Sequence, residues 1–181
     1  MVGVCIIYDV NVSVSAILHT QVSFTSRFSR INLKDNHAEL GEPPATLPTV
    51  GTNLTDIIVH KRRITVRELG GCMGPIWPSY YGDCSSVIFM VDAANTTQVS
   101  SSCIQLLSVL SAEALETTSV LILFNKVDIP CPMSLVEMKS LFRLDDIISC
   151  ARQPITVLGI SARSGQGLQD VLKWLHSIQK E

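Results

Sequence analysis

Two short apolar runs limit what this chain can fold into. Ser86–Asp92 (SVIFMVD) and Ser119–Asn125 (SVLILFN) are apolar at nearly every position, and each ends on a polar residue. A strand with one face in water alternates, so unbroken runs of this kind suit strands covered on both faces, as in parallel sheets. Between them, residues 98–110 place Val99, Cys103, Leu106, Leu107 and Leu110 at helical spacing. Strand, helix and strand in succession predict a βαβ unit.

The rest of the chain extends this pattern. Residues 54–60 and 63–69 read as two strands of a hairpin joined at Lys61-Arg62. Residues 138–151 read as a helix broken near Leu144, and Ile155–Ile160 as a last strand. Residues 167–179 read as an amphipathic helix with Leu168, Val171, Leu172, Leu175 and Ile178 on one stripe. Upstream, residues 8–15 alternate, with Val10, Val12 and Val14 on one side, and residues 4–16 are the candidate first strand. Residues 32–48 are polar and proline-rich and read as a loop. The expectation is one α/β domain with a mostly parallel sheet, one antiparallel hairpin and helices on both faces. Ligands of such sheets bind beyond the carboxyl ends of the strands, where Asp92, Asn125 and Ser161 fall.

Composition narrows the function classes. A net charge of −2 gives no electrostatic case for nucleic acid or an anionic membrane. Six cysteines without C-x-x-C spacing argue against zinc and for free thiols in a reducing compartment, so a cytoplasmic protein is expected. There is no run of about 18 apolar residues for a spanning helix and no basic start for a signal peptide. Val2 excludes myristoylation at this start, and the C-terminal residues carry no prenylation cysteine.

Four segments carry candidate chemistry. Asn125-Lys126-Val127-Asp128 follows a buried strand. An Asp there can accept two hydrogen bonds from a guanine, the Lys stem can lie over the base, and the Asn amide can tie loops together. Ser161-Ala162-Arg163, also at a strand end, offers a backbone N–H for the base's O6. In Glu68-Leu69-Gly70-Gly71, paired glycines allow a backbone N–H to approach a phosphate closely. Thr49, after the rigid Pro48, offers a hydroxyl suited to Mg²⁺. Taken singly, the last two segments read better as a plain glycine turn and a loop threonine.

Together, in the order TLPTVGTN, ELGG, PIWPSYY, VIFMVD, LFNKVD and ISAR, these strings resemble the ADP-ribosylation factor (Arf) and Arf-like small GTPases. The resemblance runs from Pro43 to the C-terminus. It implies a P-loop-NTPase-like small GTPase fold with a six-stranded sheet, GTP/GDP and Mg²⁺ as ligands, and a switch that recruits protein effectors in membrane and ciliary traffic. By resemblance, Thr49 is the Mg²⁺ and γ-phosphate contact of switch I. Glu68, Leu69, Gly70, Gly71 and Cys72 form the γ-phosphate loop, with Gly71 as donor. Asn125, Lys126, Val127, Asp128, Ser161 and Ala162 surround the guanine. Effectors would meet the switch and interswitch surface, where the family's aromatic positions fall on Thr52, Arg67 and Tyr80.

The sequence also departs from that family. The phosphate loop G-x-x-x-x-G-K-[ST] holds phosphates with backbone N–H groups and a Lys. Here no glycine lies between Gly3 and Gly41, and no lysine precedes Lys34. Residues 1–40 are therefore expected to be a divergent segment in place of the phosphate-loop region, such as an alternative start, an alternative exon or a gene-model error would produce, with residues 41–181 as the GTPase-like domain. The water-orienting glutamine is replaced by Cys72, so hydrolysis is expected to be weak or absent and no catalytic residue is assigned. Two other readings stay open: a pseudo-GTPase interaction module that binds no nucleotide, and an α/β enzyme with Cys72 as nucleophile.

Overall fold

The structure, a computed structural model, describes residues 2–8, 51–59, 62–82, 84–130 and 133–178. Six strands form one sheet: β1 (Val2–Tyr8), β2 (Thr52–Val59), β3 (Arg62–Leu69), β4 (Ser86–Asp92), β5 (Ser119–Asn125) and β6 (Ile155–Ile160). Their order across the sheet is β2-β3-β1-β4-β5-β6. Helices α1 (Val99–Leu110), α2 (Leu135–Leu141), α3 (Leu144–Cys150) and α4 (Leu168–Ser177) follow β4, β5 and β6, and a 3-10 segment, Gly71–Tyr80, follows β3.

The two apolar runs are the central parallel strands. Successive side chains of a strand point to opposite faces. Six consecutive buried positions in both β4 and β5 therefore mean that both faces are covered there. Phe124 meets Phe142 edge-on across the core, with ring centroids 5.5 Å apart, a favourable aromatic geometry. The α4 stripe buries Leu168, Val171, Leu172 and Leu175. In α1 Ser102, Leu106 and Val109 are buried, and Val99, Cys103 and Leu110 pack against the core; of the predicted stripe Leu107 alone is exposed, and Val109 takes its place. The stretch 138–151 is two helices. The break falls at Phe142-Arg143, where Arg143 adopts a left-handed φ of 50°, a conformation that a helix cannot continue through.

The hairpin pairs β2 with β3 from Thr52↔Leu69 to Val59↔Arg62. The parallel half is β4, β5 and β6. Between these halves, β1 runs against both neighbours: Cys5 faces Glu68 of β3, while Val2 faces Val91 and Ile7 faces Ser86 of β4. Because β1 opposes both, β3 and β4 point the same way, and β3, β4, β5 and β6 all end at one edge. The strands β1 and β2 begin there, and β1 is the one that lies between the two halves. At about 3.3 Å per residue, its seven residues carry the chain roughly 20 Å away from that edge by Tyr8. The first strand is thus earlier than the alternating stretch 8–15, most of which lies outside the described residues, as do the loop 32–48 and Thr49.

Candidate guanine and phosphate site

Parallel register places the loops after β4, β5 and β6 side by side. Asp92 is level with Asn125, and Asn125 with Ile160. Backbone bonds join the three loops: the Ala93 N–H donates to the Asn125 carbonyl (2.9 Å), and the Val127 N–H to the Ile160 carbonyl (3.2 Å). The buried Asn125 side chain completes the tie. Its Oδ1 accepts from the Lys126 N–H (2.8 Å) and from the Ala162 N–H (2.9 Å), and its Nδ2 lies 3.7 Å from Met90 Sδ. A buried amide with both ends engaged is fixed in one orientation. The loop-tying role expected of Asn125 is therefore the geometry observed.

Lys126 has a φ of 71°, unusual for a residue with a Cβ. Its ammonium reaches back to Asp92, with Nζ 2.6 Å from Oδ2. Val127 is half-buried, and Asp128 is exposed beyond it. Ser161 and Ala162 are fully buried. Ser161 donates its N–H to the Gln166 carbonyl (3.0 Å) and accepts the Ser164 N–H on Oγ (2.9 Å), which folds residues 161–166 into a compact turn. Lys126, Val127 and Asp128 line a cavity of about 550 Å³ with Ala93, Leu135 and Gln166 among its other walls. Asn125, Ser161 and Ala162 do not line it; they brace the loop that does.

The loop after β3 is closed on itself. Glu68 is buried and accepts from the Asn53 amide (3.1 Å) on the paired strand. Leu69 is fully buried. The Gly70 N–H donates to the Gly51 carbonyl (3.1 Å), and the Gly70 carbonyl accepts from the Met73 N–H (2.9 Å) and from Trp77 Nε1 (3.1 Å). Gly71 and exposed Cys72 then open the 3-10 segment. Burial pushes the Tyr81 phenol above its ordinary value, with Cys84 adding to the shift. Among the effector positions, the Arg67 guanidinium lies 5.2 Å over the Tyr80 ring, a cation–π contact. Leu54, 49% exposed, is the residue directly across from Arg67, whereas Thr52 faces Leu69.

The structure thus brings Asn125, Lys126, Val127, Asp128, Ser161 and Ala162 together. It sets Glu68, Leu69, Gly70, Gly71 and Cys72 at the same sheet edge, two strands away. The described residues set the exposed Asp128 carboxylate and the Lys126 stem at one cavity. They do not supply a phosphate nest, because the chain leaves β1 at the opposite edge. Among the described residues, no group of three or more His, Cys, Asp or Glu is placed to hold a metal ion. Sequence reasoning left out Asp92 and Asn53 as partners of Lys126 and Glu68. Asp92 ends an apolar run and is visible as such, but its partner follows only from the register between β4 and β5.

Among the described residues, no helix is long and apolar enough to cross a membrane. By sequence, the chain is 60% identical to human ADP-ribosylation factor-like protein 16 over 154 residues, 85% of this chain and 78% of that protein. It is 30% identical to ADP-ribosylation factor-like protein 1 of Saccharomyces cerevisiae over 145 residues, covering 79% of this chain and 78% of the yeast protein. By structure, it matches the Arl6 BBS3 small GTPase from Trypanosoma brucei, solved with the nucleotide analogue GppNp, at a TM-score of 0.72. That match covers 91% of this chain and 94% of the other, and at 17% identity it speaks for the fold. The profile of the ADP-ribosylation factor family matches residues 33–179, and the chain belongs to that family of small GTPases.

Proposed function

We propose that this chain is an Arf-like guanine-nucleotide-binding protein that recruits protein effectors in intracellular or ciliary traffic. In this reading it exchanges GTP and GDP with weak or no intrinsic hydrolysis. The observation that carries it is the Asn125 amide, which joins the β5 and β6 loops and leaves Asp128 exposed beside the cavity. Weak hydrolysis follows from the residue after the glycines, where a thiol replaces an amide able to orient water. Effectors meet the interswitch face around Leu54, Arg67 and Tyr80, in the cytoplasm or at the periphery of a membrane. Residues 41–181 act as the Arf-like domain, residues 1–40 stand in for the phosphate-loop region, and Thr49 and Glu68 are the candidate Mg²⁺ contacts.

The direction of β1 favours a second reading, an interaction module without nucleotide control. Titration of the full chain with fluorescent GTP and GDP, with and without Mg²⁺, separates the two. Saturable, guanine-selective binding at micromolar concentration or tighter, lost in Asp128→Ala, is the result expected of the first. A cooperatively folded chain with no saturable binding leaves the second.

A further inference from the structure

We propose that Asp92 is a positioning residue for base recognition, holding Lys126 in place before any nucleotide arrives; the proposal rests on the guanine-binding reading above. Asp92 is the last residue of β4 and stands level with Asn125. Its carboxylate is divided between two tasks. Oδ1 accepts the Ala94 N–H (3.1 Å), which fixes the carboxylate to its own turn, and Oδ2 accepts the Lys126 ammonium at 2.6 Å. The two side chains are 17% and 28% exposed, so the charge-assisted bond is less screened than a surface ion pair.

Two neighbouring polar side chains of these loops are engaged elsewhere. The Asn125 side chain holds two backbone N–H groups, and Ser161 holds Ser164. Asp92 is the carboxylate that Lys126 meets. Lys126 carries a long, flexible stem on a left-handed backbone. Tethering its far end makes the stem a wall of the cavity, shared with Ala93, Asp128 and Gln166. A wall ordered in advance lowers the ordering cost of binding a flat ring against it. Asp92 therefore acts on the ligand through Lys126 and does not touch it.

Two measurements on the full chain test this. The first is acylation of lysines by an amine-reactive ester, read by mass spectrometry without nucleotide. Lys173, 77% exposed, is the internal control. In the unsubstituted chain Lys126 should react slowly, and Asp92→Asn should speed it about fivefold or more while Lys173 is unchanged. The second is titration with fluorescent GDP. Asp92→Asn and Lys126→Met should each weaken binding by roughly three- to tenfold, and the double variant should be no weaker than Lys126→Met alone. Equal Lys126 reactivity with and without Asp92, or fully additive losses in the double variant, overturns the role of Asp92 alone. A folded chain that binds no guanine nucleotide overturns the guanine reading and this proposal together.

Discussion

Along the sheet edge where β3, β4, β5 and β6 end, two regions are built differently. On the β4–β6 side, parallel strands deliver three loops at the same level, and Asn125, Lys126 and Asp92 tie them together by side-chain bonds of 2.6 to 2.9 Å. On the β3–β1 side, the Gly70 loop is tied, among the described residues, to its own hairpin and 3-10 segment, and the neighbouring strand runs the other way. Base recognition needs loops brought together from several strands, which register alone achieves. A phosphate nest needs one strand to arrive from the right direction, and β1 does not. In the guanine-binding reading proposed above, the two halves of the site depend on different properties of one sheet, so one can persist without the other.

The largest expected effect tests the intact half. Asp128→Ala removes an acceptor for two hydrogen bonds to a charged group, each worth about 1.5–3 kcal/mol when buried with ligand. Guanine nucleotide affinity should fall by about 100-fold or more, with the melting temperature unchanged because Asp128 is exposed. A loss below tenfold in the titration would mean that the base sits elsewhere.

Two glycines sharpen the comparison through stability. Gly167, before α4, has a φ of 75°, and an added Cβ would lie 2.6 Å from the Gly159 carbonyl oxygen and 3.0 Å from Ile160 Cγ2. Backbone cannot give way as a flexible side chain can. Gly167→Ala should cost about 2–4 kcal/mol from strain and clash, lowering the melting temperature by roughly 5–15 °C. Gly51, beside the Gly70 loop, also has a positive φ, 102°, but among the described residues nothing lies within 4 Å of its Cβ position. Gly51→Ala should cost only the conformational strain, about 1 kcal/mol. Thermal melts that reverse this order would show that the β3 side is the more tightly packed.

The phosphate half is tested by the ligand itself. A glycine-rich nest with its Lys makes several charge-assisted bonds to the phosphates, each worth about 1.5–3 kcal/mol. With β1 reversed, GDP and GTP should bind within about tenfold of guanosine, a difference of about 1.4 kcal/mol. Calorimetric titration that finds GDP a thousandfold tighter would place a phosphate nest at this edge after all.

What the sequence shows of this molecule follows from what a pattern can encode. Ile155–Ile160 is read at its true bounds, and the hairpin is read with its link displaced by one residue, because alternation and apolar runs mark strands directly. The Asn125 loop is legible because a fixed string sits at a strand end. The direction of β1 is not legible, since a short apolar strand has the same pattern read either way, and only its partners decide. The pairing of Lys126 with Asp92, 34 residues apart, and of Glu68 with Asn53 likewise needs register. Val109 replacing Leu107 on the buried face of α1 turns on how the helix sits against the sheet, which spacing does not fix.

The smallest effect lies at the rim of the base half, where Ser134 both lines the cavity and caps α2. Ser134 Oγ accepts the Glu137 N–H (3.2 Å), and the Glu137 carboxylate accepts the Ser134 N–H and hydroxyl, both at 2.7 Å, a reciprocal capping box. The Ser134 backbone N–H, and then its hydroxyl, hold the Glu137 carboxyl below its ordinary value of 4.5. A carboxyl depressed in the folded state stabilises that state above its unfolded value and loses the contribution as pH falls through the folded one. Hydrogen-exchange protection at Glu137 and Met138 should therefore decline as pH drops from 4.5, while the global melt barely responds, because the pair is exposed. Glu137→Gln, which keeps an acceptor oxygen but has no charge to lose, should show no such step. If protection falls equally in both, the cap does not depend on the carboxylate, and the rim of the cavity is held by the packing of Leu135 and Met138 instead.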